Sequence, residues 1–291
     1  MVLVAARKTG QETSELRQTR SFVMATYEPE RTRNFYLLGD SQAEMVQLIA
    51  ADQLFTKAMG GLLPEQPEQE IAHLHDVLDI GCGPGGWLLE MAYANSHLHA
   101  TGIDVSQGMI DYARALASAN GLDNAQFHVA NAIDPLDFPD GTFDLVNARQ
   151  IEGAVPIAAW PPLVKEMVRV TRRGGTIRIT SVEWGGVTNS TAYQTLHKLM
   201  VKGFGRAGLN HIPDERMYGA TVMLSRYLRD AGCVNIQERP SLMDFSAGSE
   251  YYQAMNQQWV IAFELVEPFL LATGVATKPE IERLRQQFSI D

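Results

Sequence analysis

Val77-Leu78-Asp79-Ile80-Gly81-Cys82-Gly83-Pro84-Gly85-Gly86-Trp87 decides how the rest of the chain is read. Residues suited to a buried strand run through Asp79, glycines follow, and Trp87-Leu88-Leu89-Glu90-Met91-Ala92 reads as a helix. Strand, glycine turn and helix N-terminus make a site of nucleotide size. Glycine lets the backbone turn sharply and leaves no Cβ between chain and ligand.

Working outward, strands and helices alternate. Strands are expected over 76–80, 98–103, 125–129, 143–147 and 176–180, and helices over 86–94, 106–119 and about 160–171. Ser106 stands as N-cap of the second helix, and Gly174-Gly175 is read as the stop of the third. This alternation predicts an α/β fold: a doubly wound, mostly parallel sheet with ligands at the carboxyl ends of its strands.

Four stretches organise the chain. Residues 1–39 read as a tail, loose over 1–20, then an aromatic segment with Phe22, Tyr27, Phe35 and Tyr36. Residues 40–70 form an N-terminal helix and a polar linker. Ser41 and Glu44 fit a capping box, and Asp52 falls on the helix's apolar face, either at its margin or aimed at a polar ligand. Residues 71–247 form the core, interrupted by an insert at 183–218, with strands at 234–238 and 242–245. Residues 248–291 are a helical extension, with helices over 249–271 and 278–288.

The bulk properties narrow the partners. The 291 residues carry a net charge of -10, which argues against a nucleic-acid or anionic-membrane surface. No stretch of about 20 apolar residues spans a membrane. Two cysteines, Cys82 and Cys233, make neither a disulfide framework nor a zinc site, and a reducing cytoplasm is the simplest setting. Oligomeric state is not readable.

Gly81, Gly83 and Gly86 satisfy G-x-G-x-x-G, a weak signal alone. Asp104 strengthens it: a carboxylate ending the next strand can accept hydrogen bonds from both hydroxyls of a ribose. The chain over about 73–182 resembles the class I S-adenosylmethionine-dependent methyltransferases. The resemblance rests on Val77–Gly85, on Gly102-Ile103-Asp104-Val105-Ser106, on Phe138-Pro139-Asp140-Gly141-Thr142-Phe143-Asp144-Leu145-Val146, and on the run from Glu166 to Gly175. The subgroup it looks most like is that of the small-molecule, ubiquinone/menaquinone-type enzymes.

The resemblance implies a Rossmann-like, methyltransferase-type sheet whose added helices, N-terminal, after the strand at 176–180 and C-terminal, form a lid. It implies S-adenosylmethionine as cofactor, with Asp79, Gly81 and Gly83, and Cys82 between them, at its amino-acid end. Asp104 would hold the ribose, with Val105 and Met109 beside the adenine. Asn131 and Ala132 fall where the family often has an acid and a small residue, and Arg149 would offer its backbone to the methionine part. A sulfonium cofactor needs no lysine near the glycines, and none occurs between Lys57 and Lys165. The rival nicotinamide reading is opposed by Asp79, which would face a pyrophosphate, and by Pro84 in the turn.

On the acceptor side, Glu183 is the leading candidate to touch substrate, followed by His211 and Glu152, with Trp184 and Tyr218 nearby. The expected reaction is methyl transfer to an apolar or aromatic small molecule on oxygen, nitrogen or carbon, with no metal. The alternative from another class is a protein that binds the cofactor without transferring methyl.

Overall fold

The structure is a computed structural model that describes residues 1–8, 42–183, 188–211 and 217–288. The aromatic residues at 22, 27, 35 and 36, the capping position Ser41 and Trp184 lie outside the described residues.

Seven strands form one sheet among the described residues: β1 (Val2–Arg7), β2 (Asp76–Ile80), β3 (His99–Asp104), β4 (Ala125–Val129), β5 (Phe143–Arg149), β6 (Thr171–Thr180) and β7 (Cys233–Arg239). Their order is β4-β3-β2-β5-β6-β1-β7. β2 pairs in parallel with β3 and β5, β3 with β4, and β5 with β6, whereas β1 is antiparallel to both of its neighbours. Successive residues of the central strands serve opposite faces. Leu78, Ile80, Val146 and Ile177 join the core beneath α5 (Trp160–Val170) and α7 (Ala220–Asp230). Val77 and Leu145 join the core beneath α3 (Gly86–Ala94) and α4 (Gln107–Ala119). Burial on both faces is why these strands read as near-continuous apolar runs.

The helices begin where their sequences direct. Ser106 caps α4, its Oγ accepting from Met109 N at 3.1 Å, and Ser190 does the same for α6 (Thr191–Arg206) toward Tyr193 N at 3.1 Å. α5 opens on Pro161-Pro162, where missing N–H groups cost nothing. α1 (Gln42–Met59) ends at Gly60 and Gly61, whose N–H groups return to Lys57 O and Thr56 O. A third core joins α6 to α8 (Tyr252–Leu265), α9 (Glu267–Ala272) and α10 (Lys278–Phe288) around Phe204, Phe263, Phe269 and Leu270. Among the described residues no helix is long and apolar enough to cross a membrane.

The structure corrects three expectations. The tail expected to be loose over 1–20 contains β1, which fills the gap between β6 and β7. Val2 pairs with Thr180 on one side and Arg239 on the other. Six residues carry too little periodicity to announce a strand; what holds β1 is two sheet edges and the burial of Val2, Leu3 and Ala5. The last strand expected at 242–245 is absent, since β1 occupies the place beside β6 and β7, and Leu242 is exposed. β6 starts at Thr171, so Gly174-Gly175 lies inside a strand, at a register shift opposite Phe143–Leu145. There is no room for a side chain at Gly175, whose Cβ would come 2.8 Å from Asp144 O.

Candidate functional site

The glycine turn joins β2 to α3. Gly81 and Gly83 take φ of +67° and +53°, a region open to glycine, and Cys82 N donates to Ile103 O at 2.9 Å. A Cβ on Gly81 would stand 2.6 Å from Ile151 Cγ2. The empty space above this turn is a crevice of about 560 Å³, open to solvent. Gly81, Asp104, Val105, the run Ala130 to Ile133, Ile151, Ala154 and Val155 line it.

The structure thus brings Gly81, Asp104, Val105, Asn131 and Ala132 to one crevice at the carboxyl ends of β2, β3 and β4. Asp104 is buried; its Oδ2 accepts from Gly83 N and its Oδ1 from Ser106 N, both at 2.9 Å. It therefore ties the turn to the start of α4 while facing the crevice. Asn131 Oδ1 accepts from Ile133 N at 3.3 Å. Two residues expected beside the cofactor turn away. Met109 is fully buried, and Cys82 packs with Trp87 and Phe127, where burial pushes its thiol well above the ordinary value. Their spacing from the turn is right, but helix and turn geometry aim both side chains inward. The remainder fits S-adenosylmethionine: a largely apolar crevice with a carboxylate at the end of β3, no lysine or arginine among its described lining residues, and a backbone cradle that a side chain at Gly81 would fill.

Behind the turn a polar row crosses the sheet. Asp79, Asn147 and Arg178 are register partners on β2, β5 and β6. Asn147 Nδ2 donates to Asp79 Oδ1 at 2.7 Å, Arg178 Nη1 donates to Asn147 Oδ1 at 3.0 Å, and Arg178 Nε meets Glu65 Oε1 at 2.6 Å. Arg178 is fully buried, with its guanidinium 5.9 Å from the centre of the Trp87 ring. Burial pushes the Asp79 carboxyl up to about 7, against the opposing pull of Asn147 and Arg149. The chain of bonds fixes how Asp79 points. Sequence reasoning missed Asn147, Arg178 and Glu65, although a charged residue between Ile177 and Ile179 in a central strand demands a buried partner.

Arg149 closes β5, paired in the ladder with Thr180, and its side chain turns to α1. Nη2 meets Asp52 Oδ1 at 2.7 Å and Nη1 donates to Thr56 Oγ1 at 3.0 Å, fastening α1 over the turn. Asp52 is thus not a marginal residue of α1.

On the acceptor side, Glu183 is corrected. Its Oε1 accepts from Gly219 N at 2.6 Å, and its Oε2 accepts from Thr221 N at 3.0 Å and from the Thr221 hydroxyl. It serves as the cap of α7, whose own cap position is Gly219, with no side chain to offer. His211 is partly buried, its ring 5.7 Å from that of Trp160 and 5.9 Å from that of Tyr227. Burial lowers its pKa, against the pull of Glu183, which keeps the imidazole neutral at pH 7. Glu152 is buried in the short turn after β5, next to crevice-lining Ile151. Its Oε1 accepts from Val182 N at 3.0 Å, while its Oε2 has no hydrogen-bond partner among the described residues. Burial pushes this carboxyl up to about 7. Tyr218 stands close enough for Glu152 and Glu183 to act on its hydroxyl, and its ring packs on Phe204 at 4.8 Å. Among the described residues no group of three or more His, Cys, Asp and Glu is placed to hold a metal ion.

Comparison with known proteins finds methyltransferases. A family described as a methyltransferase domain matches residues 77–175. Ajmaline N-methyltransferase of Rauvolfia serpentina is 34% identical over 145 residues, covering 50% of this chain and 46% of that protein. Chloroplastic tocopherol O-methyltransferase of Arabidopsis thaliana is 34% identical over 161 residues, covering 54% and 42%. The chain thus spans about half the length of these curated relatives. The solved structure of Haemonchus contortus phosphoethanolamine N-methyltransferase 2 with S-adenosyl-L-methionine shares the fold, at a TM-score of 0.52 and 17% identity over 86% of this chain and 54% of that one. Residues 77–175 match a methyltransferase domain, and over that stretch the chain is similar to the S-adenosylmethionine-dependent methyltransferases.

Proposed function

We propose that the chain transfers a methyl group from S-adenosylmethionine to a small, largely apolar molecule that presents a hydroxyl, an amine or an activated carbon. The observation that carries this is the crevice of about 560 Å³ over the glycine turn, with Asp104 and Asn131 among its apolar lining. When bound, the cofactor supplies an electrophilic methyl on a sulfonium. Asp104 is positioned to accept from the ribose hydroxyls, Val105 and Ala132 to flank the adenine, and Asn131 to take its amino group through the amide carbonyl. Asp79, held by Asn147, stands behind the turn as the acid nearest the amino-acid end.

Ile151, Ala154 and Val155 give the crevice an apolar wall that, with the acceptor bound, helps keep water from the point of transfer. Glu152, adjoining them, is the candidate base: a carboxyl raised to about 7 can receive a proton from an acceptor hydroxyl or ammonium at neutral pH. Relatives named as an N- and an O-methyltransferase support a nitrogen or oxygen acceptor, and ajmaline and tocopherol in their names support a bulky one. The net charge of -10 speaks against a nucleic-acid acceptor.

Two measurements test this reading. S-adenosylhomocysteine should raise the melting temperature while NAD leaves it unchanged; the opposite pattern would overturn the assignment. With methyl-labelled cofactor and a panel of phenols, amines and prenylated quinones, labelled product should appear together with S-adenosylhomocysteine. Tight cofactor binding without turnover across the panel would favour a protein that binds the cofactor for another purpose.

A further inference from the structure

Left-handed backbone in the described residues belongs to glycine, with two exceptions: Gln150 at φ +52° and Asn235 at φ +53°. Asparagine visits that region readily, because its short side chain can bond its own backbone. Glutamine lacks that local bond, and its Cβ carries a steric cost that glycine would avoid. The turn itself is fixed by its surroundings. Gln150 N donates to Thr180 O at 2.8 Å, continuing the pairing of β5 with β6. Ile151 then passes so close to the glycine turn that a Cβ on Gly81 would stand 2.6 Å from its Cγ2. That route explains the positive φ but not the choice of residue. The neighbours on both sides are committed inward: Arg149 is buried against Asp52, and Ile151 is buried and lines the crevice. Gln150 between them is exposed, and its side-chain amide makes no hydrogen bond with a described residue. A turn serving the fold alone would take glycine here, as the turn at Gly81 and Gly83 does. A free amide held in strained backbone beside the crevice, at the carboxyl end of the middle strand of the sheet, is placed to meet a ligand.

We propose that Gln150 binds the acceptor molecule, its amide carbonyl accepting from the O–H or N–H of the reacting atom and holding that atom at the Gly81 end of the crevice. The proposal rests on the methyl-transfer reading and narrows it: the acceptor is a hydroxyl or an amine that carries hydrogen, and not a carbon. A carbon nucleophile offers the amide no hydrogen bond to accept. An amide is neutral and cannot take the proton away, so the work divides between two residues of one turn. Gln150 orients the acceptor, and Glu152 receives its proton. In the transfer the acceptor atom bonds to the methyl carbon while the carbon–sulfur bond breaks. The electron pair of that bond goes to sulfur, and the acceptor's proton goes to the carboxylate.

The test compares Gln150→Gly and Gln150→Asn with the wild type in the full chain, using methyl-labelled S-adenosylmethionine and the same panel of phenols, amines and prenylated quinones. Gln150→Gly removes the amide and the backbone strain together, so it should melt no lower than the wild type. It should bind S-adenosylhomocysteine within about twofold, yet lose roughly tenfold or more in kcat/KM for the acceptor that the wild type methylates. Gln150→Asn keeps an amide on a residue that tolerates this backbone, and should recover part of the loss. The label should sit on oxygen or nitrogen in the product. Unchanged kcat/KM in Gln150→Gly, a lowered melting temperature, or an equal loss of S-adenosylhomocysteine affinity would make Gln150 a residue of the turn and overturn the proposal. Label found on carbon would overturn it as well. A wild-type chain that binds S-adenosylhomocysteine and methylates no member of the panel would instead defeat the methyl-transfer reading, and this inference with it.

Discussion

Two strand ends carry carboxylates that the sequence nominates, Asp104 for the cofactor and Glu183 for the substrate, and the fold uses them differently. Asp104, at the end of β3, stands next to a helix that brings its own cap: Ser106 satisfies Met109 N. Asp104 is thereby left to brace the turn through Gly83 and Ser106 while lining the crevice. Glu183, just past β6, stands next to a helix whose cap position is Gly219, and both of its oxygens go to the N–H groups of that helix. A strand-end acid stays at the crevice when the neighbouring helix is capped from within, and is drawn to the helix when it is not.

The sharpest way to break this contrast is to remove each acid and read cofactor binding beside stability. Asp104→Ala should weaken S-adenosylhomocysteine by more than about tenfold in calorimetry, with both the ribose contact and the brace lost; unchanged affinity would take Asp104 out of the site. Gly81→Ala forces a side chain into left-handed backbone and toward Ile151, so binding should fall by roughly tenfold. Part of that loss should return in the pair Gly81→Ala/Ile151→Ala, and its absence would place the damage in the backbone alone. Glu183→Ala should leave cofactor affinity alone and cost about 1–2 kcal/mol of stability, the loss of a helix cap. At this chain length that is a drop of several degrees in melting temperature; a binding loss without destabilisation would return Glu183 to the site.

The smallest expected effect is a pH dependence. Glu152 faces the Val182 N–H, with Tyr218, Glu183 and the amino group at Met1 as charged or titratable neighbours. Its carboxyl is raised from 4.5 to about 7 in the folded chain, so the folded state holds a proton that the unfolded state has released. Its stabilising share is complete below about pH 4.5 and is lost as pH rises through about 7. Relative to Glu152→Gln, the wild type should therefore lose stability between pH 5 and 8. A difference that stays flat across that range in denaturant titrations would show that Glu152 is ionised throughout.

What could be read in advance follows the range of the contacts. The glycine turn, Asp104, Ser106 and the strands around them interact within one strand-turn-helix unit or with the next strand, so spacing and periodicity report them. The polar row from Asp79 to Glu65 depends on register between β2, β5 and β6, which no local pattern states. Glu183 meets Gly219 and Thr221 only after α6 has been laid down, and His211 finds Trp160 and Tyr227 on two different helices. The ion pair of Arg149 was not legible, because its partner Asp52 is far upstream on α1.

β1 also bears on how the chain reaches this state. Residues 2–7 pair with strands far along the chain, Ala6 with Thr176 on one edge and Arg7 with Cys233 on the other. Until β6 and β7 are in place, Val2 and Leu3 have no pair of sheet edges to lie between. Closing so long a loop is entropically slow. The antiparallel margin of the sheet should accordingly be the last part to acquire amide protection in pulsed hydrogen exchange, after the parallel strands under the crevice.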